Sequence, residues 1–159
     1  MTTTSRPLLF LDVDGVLNPY GYRHLPAGYA EHPLFPGGQP VLVNPRHGAW
    51  ITELASACEL IWATAWNQEA NGLLAPLLHI EPLPVLTMPP APFDFSAKVT
   101  AIASYAQHRA LAWIDDMHTA QALAWSGSRT EPTLLITADP AAGLTRRDVD
   151  RALRWAASL

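Results

Sequence analysis

The run Leu8-Leu9-Phe10-Leu11-Asp12-Val13-Asp14-Gly15 narrows the folds open to this chain. Four consecutive apolar residues that end at a turn signal read as a strand buried on both faces, the pattern of a parallel sheet with helices on either side. Side chains alternate along a strand, so Asp12 and Asp14 start on the same side. Gly15 lets the backbone turn sharply just after them. Open α/β sheets take their ligands at the carboxyl ends of such strands. The plainer alternative is a loop-capping Asp followed by an Asp-Gly turn, which does not require the buried strand and second acid in front.

The chain that follows alternates between strand and helix patterns. Further strands are expected over 60–63, 83–87, 111–114 and 133–137, and helices over 45–57, 68–78, 97–108, 119–126 and after Thr145. Residues 1–6 read as a frayed tail. Val99, Ile102, Ala103 and Ala106 recur at helical spacing, which puts Lys98 in a first helical turn. Thr145 and Asp148 have capping-box spacing. Residues 15–45 are rich in Gly, Pro and Tyr, with Val41-Leu42-Val43 able to form a short strand inside a hairpin or flap. Met88-Pro89-Pro90-Ala91-Pro92 is expected to be a loop. The order predicts an α/β, Rossmann-like three-layer sandwich with a five-stranded, mostly parallel sheet.

The totals exclude several classes. A chain of 159 residues is expected to form one domain over 1–159 that buries roughly 70% of its unfolded surface. Net charge is −4 with no basic block, which argues against an extended nucleic-acid-binding face. The apolar runs are too short for a signal peptide core or a membrane span, and Cys58 stands alone, so a reducing, cytoplasmic setting is the expectation. Cys58 reads as a core residue, and the six histidines show no ligand spacing, with His118 next to a pair of acids.

Three apolar strands end in polar residues that can share one crevice: Asp12 and Asp14, Thr64, and Asp115 and Asp116. Four converging carboxylates repel unless a cation lies between them, and hard oxygen ligands favour Mg²⁺. A carboxylate is also a competent nucleophile toward a phosphoryl group. Phosphoryl transfer needs positive charge around the equatorial oxygens, which Mg²⁺ and Lys98 supply, and an acid/base, for which Asp14 is placed. Thr64 can donate a hydroxyl hydrogen bond. Gly15, Ala65, Trp66 and Asn67, in the turns after two of these strands, are the candidate substrate contacts. Trp66 reads either as a stacking surface for a base or as core, and Asn67 and Asn71 either as phosphate contacts or as cap and surface. Asp139 reads as a site residue or as an Asp-Pro turn.

This set resembles the haloacid dehalogenase (HAD) superfamily of aspartate-nucleophile phosphatases. The matching motifs are Leu9-Phe10-Leu11-Asp12-Val13-Asp14-Gly15-Val16, Leu60-Ile61-Trp62-Ala63-Thr64, Lys98, and Trp113-Ile114-Asp115-Asp116. The resemblance implies Asp12 as nucleophile and metal ligand, and Asp14 as acid/base with its backbone carbonyl on the metal. It implies Thr64 and Lys98 as the phosphate clamp, Asp115 as a metal ligand, and Asp116 as a second acid acting directly or through water. The acid at position 14 favours phosphatase over dehalogenase chemistry. The short connections imply a minimal cap or none, an open site for bulky substrates, and room for a homodimer. The stretches D-V-D-G-V-L-N-P, T-A-W-N-x-x-A-N and I-D-D are also similar to HAD domains grouped with Swiss Army Knife RNA repair proteins, which implies a phosphorylated substrate that is a small molecule or a nucleic-acid end. A non-catalytic phospholigand- or partner-binding module, and a phosphotransferase or mutase, are the alternative readings.

Overall fold

The computed structural model describes residues 5–90 and 92–159; most of the expected tail and Ala91 of the expected proline loop lie outside them. Its elements run β1 (Leu8–Leu11), β2 (Ala30–His32), β3 (Val41–Val43), α1 (Arg46–Ala57) and β4 (Glu59–Trp62). A π-helical turn (Ala70–Leu74) then leads into α2 (Ala75–Leu78). α3 (Ser96–Ala106), β5 (Leu111–Asp115), α4 (Ala120–Ser128), β6 (Thr133–Thr137) and α5 (Arg146–Ala157) complete the chain.

The sheet is parallel, with strand order β4-β1-β5-β6. Every side chain of β1 is buried, as its unbroken apolar run requires. Leu9 and Leu11 face one core with Ile51 and Leu54 of α1 and Val149 and Ala152 of α5. Leu8 and Phe10 face the other with Val99, Ile102 and Ala106 of α3 and Ala122 of α4. The chain leaves β1 for β4 on one side and later returns to β5 on the other. The β1–β5 boundary is therefore the point where strand order reverses and a crevice opens at the carboxyl ends.

The third of the five expected strands, over 83–87, is not a strand. It is reduced to one parallel bridge of Val85 beside Trp62, held by Trp62 N–H to Pro84 O and Leu86 N–H to Trp62 O, each 2.8 Å. Pro82 and Pro84 have no N–H to continue a ladder, so the sheet has four strands. The helix expected over 68–78 is likewise broken into the π-turn and one short α-helix. Gly72 and Pro76 weaken it, and Asn71 is drawn aside to hold the Leu83 backbone in both directions, at 2.8 and 2.9 Å.

The long connection after β1 folds as the expected hairpin, with Ala30 opposite Val43 and His32 opposite Val41. In α1 the buried stripe is His47, Ile51 and Leu54, one step round from the expected Trp50, Leu54 and Ala57. The Asn44 side chain accepts the Arg46 N–H at 3.1 Å at the start of α1. α5 opens with the expected capping box of Thr145 and Asp148. Among the described residues no helix is long and apolar enough to cross a membrane.

Candidate active site

Strand register builds the site. Leu11 stands beside Ile114, so the next residues, Asp12 and Asp115, leave neighbouring strands together. The Asp12 N–H donates to the Ile114 carbonyl at 3.1 Å. On the other flank Ala63 N–H donates to Leu11 O at 2.9 Å, and Thr64 follows at the end of β4. Lys98, in the first turn of α3, is only 5% exposed. Its Nζ lies 2.6 Å from Asp115 Oδ2 and 3.2 Å from Asp12 Oδ2.

The acids sit in unequal surroundings. Asp115 accepts the Trp113 indole N–H at 3.0 Å and the Met117 N–H at 3.2 Å as well as Lys98. Burial pushes its carboxyl up, but the Lys98 charge and hydrogen bond, joined by hydrogen bonds with Asp116 and Asp12, outweigh that and hold it below the ordinary carboxylate value. Asp12 lies farther from Lys98 and beside the Asp115 charge. Burial first, and then Asp115, raise its carboxyl well above the ordinary value against the pull of Lys98. Asp116 is raised by burial and by Asp115, while a hydrogen bond from Tyr20 opposes them. That same bond, with burial, pushes the Tyr20 hydroxyl up to about 12.

Gly15 makes the close packing possible. Its φ is +79°, and a Cβ there would stand 2.5 Å from Cγ of Asp116. The pocket above these residues has a volume of about 330 Å³. Asp12, Asp14, Lys98, Asp116 and Ala65 form one side of it, and Tyr20, Pro92, Phe93, Phe95 and Met117 form an apolar side.

The other expected site residues fall into distinct places. Asp115 lies beneath the pocket, 3% exposed. Thr64 is buried, and its Oγ1 accepts the Trp66 N–H at 3.2 Å, which leaves the hydroxyl hydrogen free to donate. The Asp14 carboxylate is exposed and stands apart from the other three acids, bonded to Asn18 and Trp66. Trp66 is a core residue whose indole N–H points at Asp14. Asn67, at φ +50°, pairs with both the N–H and the carbonyl of Met88, at 2.7 and 3.2 Å, and so braces the loop beside the site. Asp139 caps its own turn through the Ala141 N–H. His118 packs edge-on against Trp113 with ring centroids 4.6 Å apart. Tyr20, Phe93, Phe95 and Met117 were not legible as site residues. Their one signal was position: Tyr20 in the turn after Asn18-Pro19, and two phenylalanines directly before the Lys98 helix.

The model of the HAD domain in Swiss Army Knife RNA repair proteins matches residues 8–149. The chain belongs to this family. No match is found among curated proteins. The matched stretch contains β1, β4, α3 and β5, so it takes in every strand end described above. HAD domains of this kind are generally hydrolases of the phosphatase type, and the acids of this HAD domain suit the metal such hydrolases use. Asp12, Asp115 and Asp116 each offer an oxygen, and the three atoms lie within 4.8 Å of one another. Ionising all three carboxylates beside one Lys98 ammonium would leave an excess of negative charge in a mostly buried space, which is why Asp12 and Asp116 resist it. A hard divalent cation held by oxygen ligands removes that excess.

Proposed function

We propose that this HAD domain is a Mg²⁺-dependent phosphomonoesterase that acts through an aspartyl-phosphate on Asp12, on nucleotides or polynucleotide ends. The observation that carries the reading is the joining of Asp12, Asp116 and Lys98, at the floor of one pocket, with Asp115 just beneath it. Mg²⁺ held by Asp12, Asp115 and Asp116 supplies positive charge to the phosphoryl oxygens and to the cluster. Lys98 supplies a further charge from a buried position, where it is weakly screened. The Thr64 hydroxyl donates to a phosphoryl oxygen.

The chemistry then runs on two carboxyl groups. A carboxylate oxygen of Asp12 forms a bond to phosphorus as the bond to the leaving oxygen breaks. Asp14 gives its proton to that oxygen. A water molecule next attacks the phosphorus, its proton passes to Asp14, and inorganic phosphate leaves as the Asp12 carboxylate is restored.

The apolar side of the pocket supports the choice of substrate. Phe95 is 52% exposed and Tyr20 50%, so two large ring-bearing side chains stand open beside a charged floor. That pairing suits a phosphate attached to a nucleoside, whose base has an apolar face. A net charge of −4 works against binding a long polyanion, which favours ends over tracts.

Turnover of a panel of esters tests the reading: 4-nitrophenyl phosphate, nucleoside monophosphates, and 3′- and 5′-phosphorylated oligonucleotides. Activity is expected with Mg²⁺ and lost with chelator. Asp12→Asn is expected to lower turnover by on the order of 10³-fold or more, since it removes the nucleophile. Absence of turnover on every ester in the presence of Mg²⁺ overturns the proposal.

A further inference from the structure

The Asp14 carboxylate is exposed, one residue before a sharp turn, yet it is tied down at both oxygens. Asn18 Nδ2 donates to Oδ1 at 2.9 Å, and Trp66 Nε1 donates to Oδ2 at 3.1 Å. Each donor is in turn fixed by the hairpin of β2 and β3. Asn18 Oδ1 accepts the N–H of Leu42, the middle residue of β3, at 2.9 Å. The Trp66 ring is met edge-on by Phe35, with centroids 4.9 Å apart, and Phe35 lies in the connection between β2 and β3. The backbone of Asn18 is also closed onto the turn, its N–H on Val13 O at 3.0 Å and its carbonyl taking the Gly15 N–H at 2.8 Å. The two arms of the clamp therefore end on two different parts of one hairpin.

We infer that the β2–β3 hairpin sets the position of the Asp14 carboxyl group, with Asn18 and Trp66 as positioning residues. The inference rests on the reading of Asp14 as acid/base. Proton transfer in a transition state needs heavy atoms at hydrogen-bond distance, and a carboxyl group free to change rotamer meets that condition only part of the time. The step at stake is the first: the Asp12–phosphorus bond forms, the bond from phosphorus to the leaving oxygen breaks, and the Asp14 proton passes to that oxygen. An alkoxide leaving group is a strong base and needs the proton. Nitrophenolate is a weak base and leaves without it. Misplacing Asp14 therefore slows alkyl esters more than activated aryl esters, whereas general damage to the site slows both alike.

The test compares kcat/KM, which reports the steps up to release of the leaving group, on 4-nitrophenyl phosphate and on a nucleoside 5′-monophosphate, both with Mg²⁺, for the native chain, Asn18→Ala and Trp66→Phe. Trp66→Phe removes the N–H and keeps an aromatic ring against Phe35. The aryl-to-alkyl ratio is expected to rise by on the order of tenfold in each variant, a part of the ~10²–10⁴-fold that a positioned acid contributes. Placed in an Asp14→Asn background, neither substitution should raise the ratio further. Thermal unfolding verifies the fold, and if one variant fails to fold, the ratio in the other decides. An unchanged ratio in a folded variant, with the native chain active, overturns the role of the hairpin alone. A native chain inactive on both esters overturns the phosphatase reading beneath it.

Discussion

Gly15 and Asp116 share one small volume, and that contact shows how closely backbone shape and acid placement depend on each other. Gly15→Ala has to hold a left-handed φ and also displace the Asp116 carboxylate. A loss of about 1–2 kcal/mol in urea unfolding is expected from the backbone conformation alone. Weaker Mg²⁺ binding, read by calorimetric titration, is expected from the displaced acid. A second residue of this kind is His47, fully buried, with Nε2 3.3 Å from Leu144 O and no partner for Nδ1 among the described residues. Burial lowers its pKa to about 4 from 6.5, against the hydrogen bond to Leu144. The folded state keeps the ring neutral while the unfolded chain protonates below 6.5. Its contribution is therefore complete above pH 6.5 and lost as pH falls toward 4, by about 3 kcal/mol in all at ~1.4 kcal/mol per unit. Urea midpoints measured across that window are expected to fall less steeply in His47→Gln than in the native chain.

At the scale of elements, α1 and α2 approach so closely that Gly48 has no room for a side chain. A Cβ there would overlap the Leu78 carbonyl oxygen, a backbone atom that cannot swing away. Gly48→Ala is expected to destabilise the fold by about 1–3 kcal/mol in urea unfolding, through a forced shift of the short helix. Substitution at Gly72, where an added Cβ meets nothing within 4 Å, is the matched control and is expected to have a far smaller effect. The same region shows why a regular helix over 68–78 did not form. Asn71 holds Leu83 and the Trp62 indole, and the segment is bent to let it do so.

For the whole molecule, the order β4-β1-β5-β6 matters more than any single contact, because it brings acids from the first and fifth strands to one crevice. The cluster concentrates negative charge that a divalent ion relieves. Mg²⁺ is therefore expected to raise the unfolding temperature, with a gain near 2.7 kcal/mol at ~100 times the dissociation constant. The gain should largely vanish in Asp115→Asn and on adding chelator. Equal stabilisation of the native chain and that variant would mean the ion binds elsewhere.

The sequence alone determined the β1 strand, the paired acids behind it, the α/β layering and the later motif residues. Those depend on local pattern: unbroken apolar runs for buried strands, helical spacing around Lys98, a capping box at Thr145. It also carried the likeness to HAD domains that the family match bears out. Tertiary structure decided the rest. Prolines at 82 and 84 left four strands where five were expected, because a missing N–H ends a ladder. Trp66 became a buried donor to Asp14, and Asn67 a brace for Met88, because hydrogen-bonding groups near the core are drawn to partners distant in sequence. The apolar wall of Tyr20, Phe93, Phe95 and Met117 comes from three separate connections, and no local pattern reports that loops so far apart in sequence meet over one set of strand ends.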